Sequence, residues 1–234
     1  APNDLETLRN YYAQISMVDE GVGNIVSALN HLNIMNDTLF IFTADHGLSL
    51  GQHGFWGHGA ATFPSNLHRA AHSVPLIIKN GKDTKVGKRS KLMVSNMDIF
   101  STILDITGCV EVDTGPVVPS RSLLPILNEF SDNWGEDAVY SEQEETRVVR
   151  TQKYAFFKRF KNSTEFPIND ELFDLENDPE EKRNLINDPK LAEVKDKLST
   201  MLDDFFAKYS KSEADLWVGG KALQNSTRKK FWVD

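Results

Sequence analysis

The chain has 234 residues, 34 Asp and Glu against 26 Lys and Arg, a formal net charge of −8 and 40% hydrophobic residues. This ordinary globular composition excludes a disordered chain and leaves room for one large domain, or a domain with an appendage. No basic stripe with interleaved aromatics points to nucleic acid, no apolar run approaches the ~18 residues of a membrane span, and a single cysteine excludes an internal disulfide framework.

Residues 4–32 carry apolar side chains at helical spacing (Tyr12, Ile15, Val18, Val22, Ile25, Val26, Leu29, Leu32), which predicts a long helix. Gly21 and Gly23 weaken its middle by about 1 kcal/mol each relative to alanine, so close packing against a neighbour is expected there. Asn36-Asp37 supplies a turn. Leu39 to Thr43 is a β-branched and aromatic run and reads as a buried parallel strand with both faces covered. It breaks at Ala44-Asp45-His46-Gly47. A carboxylate and an imidazole therefore stand at the carboxyl end of a strand, where open α/β sheets bind ligands. Gly47, Gly51, Gly54, Gly57 and Gly59 follow, interleaved with His46, His53 and His58, three of the six histidines in the chain. In isolation Asp-His-Gly is a turn in which Asp caps the backbone. At the tip of a buried strand, before a glycine-rich loop, it suits a ligand-binding site.

Beyond the loop, Arg69 either clamps an anion bidentately or sits in a surface ion pair. Residues 73–78 read as a second buried strand with Pro75 near its start, and residues 91–94 as a brief strand. Ser95 to Asp98 offers helix-start signals before a helix that runs to Ile106 and stops at Gly108. Cys109, just past that stop, is expected to be a small buried or half-buried side chain. Near residue 132 the character changes to short strand-like runs at 138–140, 146–151, 154–160 and 171–174, a small antiparallel sheet. Residues 189–209 then form an amphipathic helix with Leu191, Val194, Leu198, Met201, Leu202 and Phe205 on one stripe facing the sheet. The aromatics of the tail, Trp217, Phe231 and Trp232, are expected to dock on the body.

The stretch YYAQISMVDEGVGNIVSALNHLNIMNDTLFIFTADHG resembles the helix and metal-binding strand of the type I sulfatases, in the alkaline phosphatase superfamily. Gly51-Gln52-His53-Gly54 is similar to the family's Gly-x-His-Gly. Arg121-Ser122-Leu123 is similar to its Gly-Arg-Ser-Leu, with Ser120 in place of the glycine. Arg147 to Phe156 and the segment ELFDLENDPEE resemble strands of its C-terminal subdomain. Pro119-Ser120-Arg121 echoes the nucleophile motif Cys-x-Pro-Ser-Arg by coincidence, since Val117 occupies the cysteine position.

The resemblance implies an α/β, alkaline-phosphatase-like sheet portion with helices over residues 1–132, and a small C-terminal antiparallel sheet and helix subdomain over 133–234. It implies a sulfuric ester hydrolase acting on a sulfated small molecule or glycan. Asp45 and His46 are the implied metal ligands, for Ca²⁺ or alternatively Mg²⁺. His53, His58 and Arg69 are the implied substrate-binding residues, with His53 either contacting the ligand or orienting the loop. His58 stands where many sulfatases have a lysine, and it either donates to sulfate or protonates the leaving alcohol as a catalytic acid. The formylglycine nucleophile and two further aspartates belong to an N-terminal half with no match here. That half is expected as a missing or separate partner, without which the chain is inactive. A phosphatase or phosphonate monoester hydrolase of the same superfamily, and a non-catalytic sulfated-glycan-binding module, are the alternatives. A periplasmic or secreted location is expected, with lysosomal or cytoplasmic as alternatives.

Overall fold

The computed structural model describes residues 5–58, 62, 64–81, 87–109, 118–129, 137–160 and 168–211. The expected division at 132/133 and the tail aromatics lie outside them. Among the described residues, no helix is long and apolar enough to cross a membrane.

Helix α1 (Leu5–His31) forms as its spacing predicts, but it buries none of its residues. Tyr12, Ile15, Val18 and Ile25 are all exposed, and a Cβ added at Gly21 or Gly23 would meet nothing within 4 Å. The expected close packing at these glycines is therefore not made: among the described residues, nothing covers the apolar stripe. Strand β1 (Leu39–Thr43) also forms as expected, with all five residues half-buried rather than covered on both faces. It pairs antiparallel with β4 (Leu76–Asn80), Ile41 facing Ile78 and Phe42 facing Ile77. The expectation of a parallel strand is corrected on this point. A β-branched run fits either orientation, and the partner strand decides which one is made.

Two short strands, β2 (Ser49–Leu50) and β3 (Trp56–Gly57), close the glycine-rich loop as an antiparallel pair. Helix α2 (Arg69–His72) leads into β4, and α3 (Asp98–Thr107) ends on the left-handed cap Gly108. Residues 91–94 form no strand. Met93 donates its N–H to the Asp137 carboxylate at 2.9 Å instead of to a ladder. Cys109 is exposed, against expectation. It lies past the left-handed cap, beyond the packed face of α3. Helix α4 (Leu124–Glu129) follows.

The second half is a four-stranded antiparallel meander, β5 (Ala138–Gln143), β6 (Thr146–Thr151), β7 (Tyr154–Arg159) and β8 (Glu171–Asp174), paired in chain order. Period-2 alternation sorts its side chains onto two faces. Val149, Phe156 and Leu172 pack against Leu198, Leu202 and Phe206 of α5 (Ala192–Tyr209); Leu198 and Leu202 of the predicted stripe are buried, its Leu191, Val194, Met201 and Phe205 are partly buried against them, and Phe206 is an addition. On the opposite face Val148, Ala155, Phe157 and Phe173 close over Leu67, which comes from the segment before α2. Both faces of the sheet are thus buried, and the first half supplies one of the covers.

A polar network seals that seam. Glu181 is almost fully buried and turned inward by a left-handed backbone (φ 57°). Its Oε1 accepts from Arg150 Nη2 at 2.7 Å, and Arg150 also donates to the Leu67 carbonyl at 2.7 Å. Its Oε2 accepts from the Arg69 backbone N–H at 2.9 Å and lies 3.1 Å from His68 Nδ1. Nearby, Ser65 donates both its N–H and its hydroxyl to the buried carboxylate of Glu145, and Arg159 donates to the Ser65 carbonyl at 2.8 Å and to Glu171 at 3.0 Å. Burial alone would push the Glu181 carboxyl up. The His68 hydrogen bond, the Arg150 charge and the Arg69 N–H outweigh it and pull it from 4.5 down to about 2.

Two predictions follow from this packing. Leu202→Ala, at a side chain with 0% exposure, is expected to cost about 2–5 kcal/mol in urea unfolding. Val18→Ala on the uncovered face of α1 is expected to change it by no more than about 0.5 kcal/mol. The second prediction concerns acid. Between its folded and unfolded pKa values, Glu181 binds more protons in the unfolded chain, so its contribution is complete above 4.5 and fades as pH falls to about 2. That contribution is on the order of 3 kcal/mol. The stability gap between the parent and Glu181→Gln should therefore be wide at pH 6 and shrink toward pH 3. A gap independent of pH would show that the carboxylate's charge is not what counts.

Candidate active site

The site is built where β1 ends. Thr43 Oγ1 donates to Asn96 Oδ1 at 3.2 Å, and Asn96 Nδ2 donates to the Ala44 carbonyl at 2.8 Å. One asparagine side chain therefore pins the last two residues before Asp45. On the far side, Gly47 donates its N–H to the Ala71 carbonyl at 2.8 Å. A Cβ at Gly47 would stand 2.3 Å from the Ala70 carbonyl oxygen, so only glycine lets the backbone approach α2 this closely.

Between these two anchors stand Asp45 and His46. Asp45 Oδ1 accepts from the His46 backbone N–H at 2.8 Å. His46 Nδ1 lies 2.8 Å from the Gly47 carbonyl oxygen. A carbonyl only accepts, so in this contact Nδ1 carries the proton and the neutral ring keeps its lone pair on Nε2. That nitrogen lies 3.7 Å from Asp45 Oδ2, whose side chain is 87% exposed. A carboxylate oxygen and an imidazole lone pair thus converge at an open edge, a donor set that fits a divalent cation as two of its ligands. His58 stacks its ring on His46 at a centroid distance of 4.4 Å and an interplanar angle of 31°.

Beside this tip lies a cavity of about 340 Å³, lined among others by Asp45, His72, Asn96, Tyr140 and Arg150. His72 is pushed down to about 4 by burial and then by the positive charge of Arg150 and by His46. It is neutral at physiological pH and offers hydrogen bonds rather than charge.

The five residues singled out in the sequence divide into two groups. Asp45, His46 and His58 come together at the strand tip. His53 and Arg69 instead meet the buried Glu181. The His53 ring lies flat on His68, at 3.8 Å and 8°, and burial, followed by the proximity of His68, holds its pKa below the usual value. Arg69 is exposed and contributes its backbone N–H. Sequence reasoning passed over His68, Asn96, Arg150 and Glu181. Glu181 lies within the segment ELFDLENDPEE that carried the resemblance, but several acids crowd that segment. Only the left-handed φ at Glu181 decides which one turns inward.

Residues 2–109 match the family model described as Sulfatase. The chain is 27% identical over 219 residues to the N-acetylglucosamine-6-O-sulfatase of Bacteroides thetaiotaomicron, covering 89% of this chain and 37% of that protein. It is 29% identical over 232 residues to the choline-sulfatase of Rhizobium meliloti, covering 93% and 42%. Among solved structures, BT4656 in complex with its substrate D-glucosamine-2-N,6-O-disulfate superposes with a TM-score of 0.74 at 25% identity, over 86% of this chain and 40% of that one. The phosphonate monoester hydrolase of Agrobacterium radiobacter shares the fold, with a TM-score of 0.72 at 23% identity. The chain spans about two fifths of the length of the curated relatives it matches. The model matched over residues 2–109, the relatives aligned along most of this chain and the shared alkaline-phosphatase-like fold agree in what they liken this chain to: the type I sulfatases.

Proposed function

We propose that this chain supplies the cation-holding and leaving-group side of a sulfate ester hydrolase. The observation that carries the reading is the convergence of Asp45 Oδ2 and His46 Nε2, 3.7 Å apart, at an open strand tip beside a cavity. A hard cation such as Ca²⁺, or alternatively Mg²⁺, takes six or more oxygen-rich ligands. Asp45 and His46 would hold it from this side. The remaining ligands and a formylglycine nucleophile would come from sequence beyond this chain. The cation, when bound, would offset charge on sulfate oxygens and favour the ionised nucleophile. The uncovered apolar stripe of α1 suits packing against that additional sequence.

Among the described residues, His58 is the one we assign to move a proton. Its ring rests on His46, beside Asp45, within reach of an ester oxygen bound at the tip. In this reading Asn96 and Gly47 fix the tip, neutral His72 donates a hydrogen bond within the cavity, and His53 and Arg69 orient the loop from the Glu181 side. A carbohydrate sulfate is the preferred substrate class. The support is the alignment with the N-acetylglucosamine-6-O-sulfatase along 89% of the chain.

The test combines this chain with the N-terminal half of a full-length relative and assays sulfate release. Aryl sulfate should be hydrolysed well ahead of aryl phosphate, and the reverse order would replace this reading with a phosphatase. Asp45→Asn should lower kcat/KM by about a hundredfold or more, the scale of losing one preorganised electrostatic contact. For His58→Ala the leaving group decides. A general acid is worth about 10²–10⁴ when the leaving alcohol is a poor one. The variant should therefore lose most of its activity on a sugar sulfate and little on a nitrophenyl sulfate. Equal losses on both would make His58 a sulfate-binding donor instead.

A further inference from the structure

We propose that His53, His68 and Glu181 form a second metal site, selective for a borderline divalent cation such as Zn²⁺ and distinct from the Asp45–His46 pair. Each of the three offers a ligand atom, and these atoms lie within 4.8 Å of one another. His68 Nδ1 and Glu181 Oε2 are 3.1 Å apart. Two ligands of a tetrahedral zinc, with bonds of roughly 2.0 Å, stand about 3.3 Å apart, so this edge of the polyhedron is already in place. His53 completes the set from the solvent side. Its exposed ring lies flat on His68, so to ligate the same ion it must turn out of this parallel stack until its in-plane lone pair meets that of His68.

The hydrogen bond between His68 and Glu181 accounts for two members of the cluster without any metal. The third, His53, is held beside them by its ring stack on His68 and a hydrogen bond to the Glu180 backbone. His53 holds a left-handed backbone (φ 55°), unusual for a residue with a side chain, and that backbone lays its ring on His68. Two imidazoles and one carboxylate are the donor set of open zinc sites, with solvent in the fourth position. Such a set does not suit Ca²⁺, which asks for more oxygens. Zinc would take the place of the proton shared by Nδ1 and Oε2. Arg150, on Oε1, and the Arg69 N–H, on Oε2 itself, already fix the orientation of the carboxylate, as outer partners do in built metal sites.

The test uses the 234-residue chain freed of metal and titrated calorimetrically with zinc chloride, with cobalt(II) as a spectroscopic replacement. One equivalent of zinc is expected, together with visible cobalt bands of a tetrahedral site. Because His53 is exposed, His53→Ala should fold. It should weaken zinc at least tenfold and abolish the cobalt bands. Asp45→Asn and His46→Ala should leave both signals intact. Failure of the parent chain to bind zinc, unchanged affinity in His53→Ala, or loss of the signal in His46→Ala would each overturn the assignment. None of these results depends on sulfate hydrolysis, so the two proposals stand or fall separately.

Discussion

Buried carboxylates join the two halves of the described fold, Glu181 most extensively and Glu145 beside it. Placing an ionised glutamate inside a protein costs several kcal/mol unless every lone pair is answered. Glu181 answers its own with Arg150, the Arg69 backbone and His68, one partner from the sheet and two from the segment that precedes β4. Arg150 then reaches on to the carbonyl of Leu67, whose side chain plugs the apolar face of that same sheet. The charge network and the hydrophobic contact therefore fix one seam in one register. Sliding either surface by a residue would expose Leu67 and leave Glu181 unpaired. Buried ion pairs are weak evidence for stability in general. Here the pair specifies how two elements meet.

That register positions the proposed chemistry. Helix α2 hangs from Glu181 by the Arg69 N–H, and its Ala71 carbonyl receives the N–H of Gly47. From Gly47 the chain runs directly back to His46 and Asp45. The strand tip is thus held from two directions, by Asn96 on the β1 side and by α2 on the other. An exposed aspartate and histidine at a loose loop end would sample many rotamers and lose entropy on binding a cation. Held this way, they present their lone pairs together before any ion arrives.

How much of this could be read from the residues follows from the range of each interaction. Local signals carried far. The β1 run, the Asp45-His46-Gly47 break, the meander and the stripe of α5 depend on composition and spacing within one element, and each is found where it was expected. Pairing direction is not local: Leu39–Thr43 is equally apolar against a parallel or an antiparallel partner, and the sequence holds no sign of which. Neither is cover. The stripe on α1 has the periodicity of a buried helix, yet nothing among the described residues lies over it. Glu181 was hidden for a third reason. Its inward turn rests on one positive φ in a segment of ordinary acids, and on the separated partners His68 and Arg150, which no short window contains.

The loop from Asp45 to His58 gathers these threads. Its histidines face opposite ways: His46 and His58 stack on each other at the open tip, while His53 stacks on His68 against the buried glutamate. Between them the chain passes through left-handed conformations at Gly51, His53, Gly54 and Gly57. Three are glycine, which adopts such geometry without strain. The fourth is the histidine whose ring rests on the Glu181 cluster. A loop with so many permissive joints has little reason to hold one shape on its own. The short β2–β3 pairing helps, but two residues per strand make a weak clasp. The ring contact of His53 supplies an anchor near the middle, five residues before His58. Whatever tightens that anchor also narrows the positions open to His58. The buried charge seam and the exposed tip proposed as catalytic are two ends of one mechanical chain, and the composition of the loop makes the first a condition for the second.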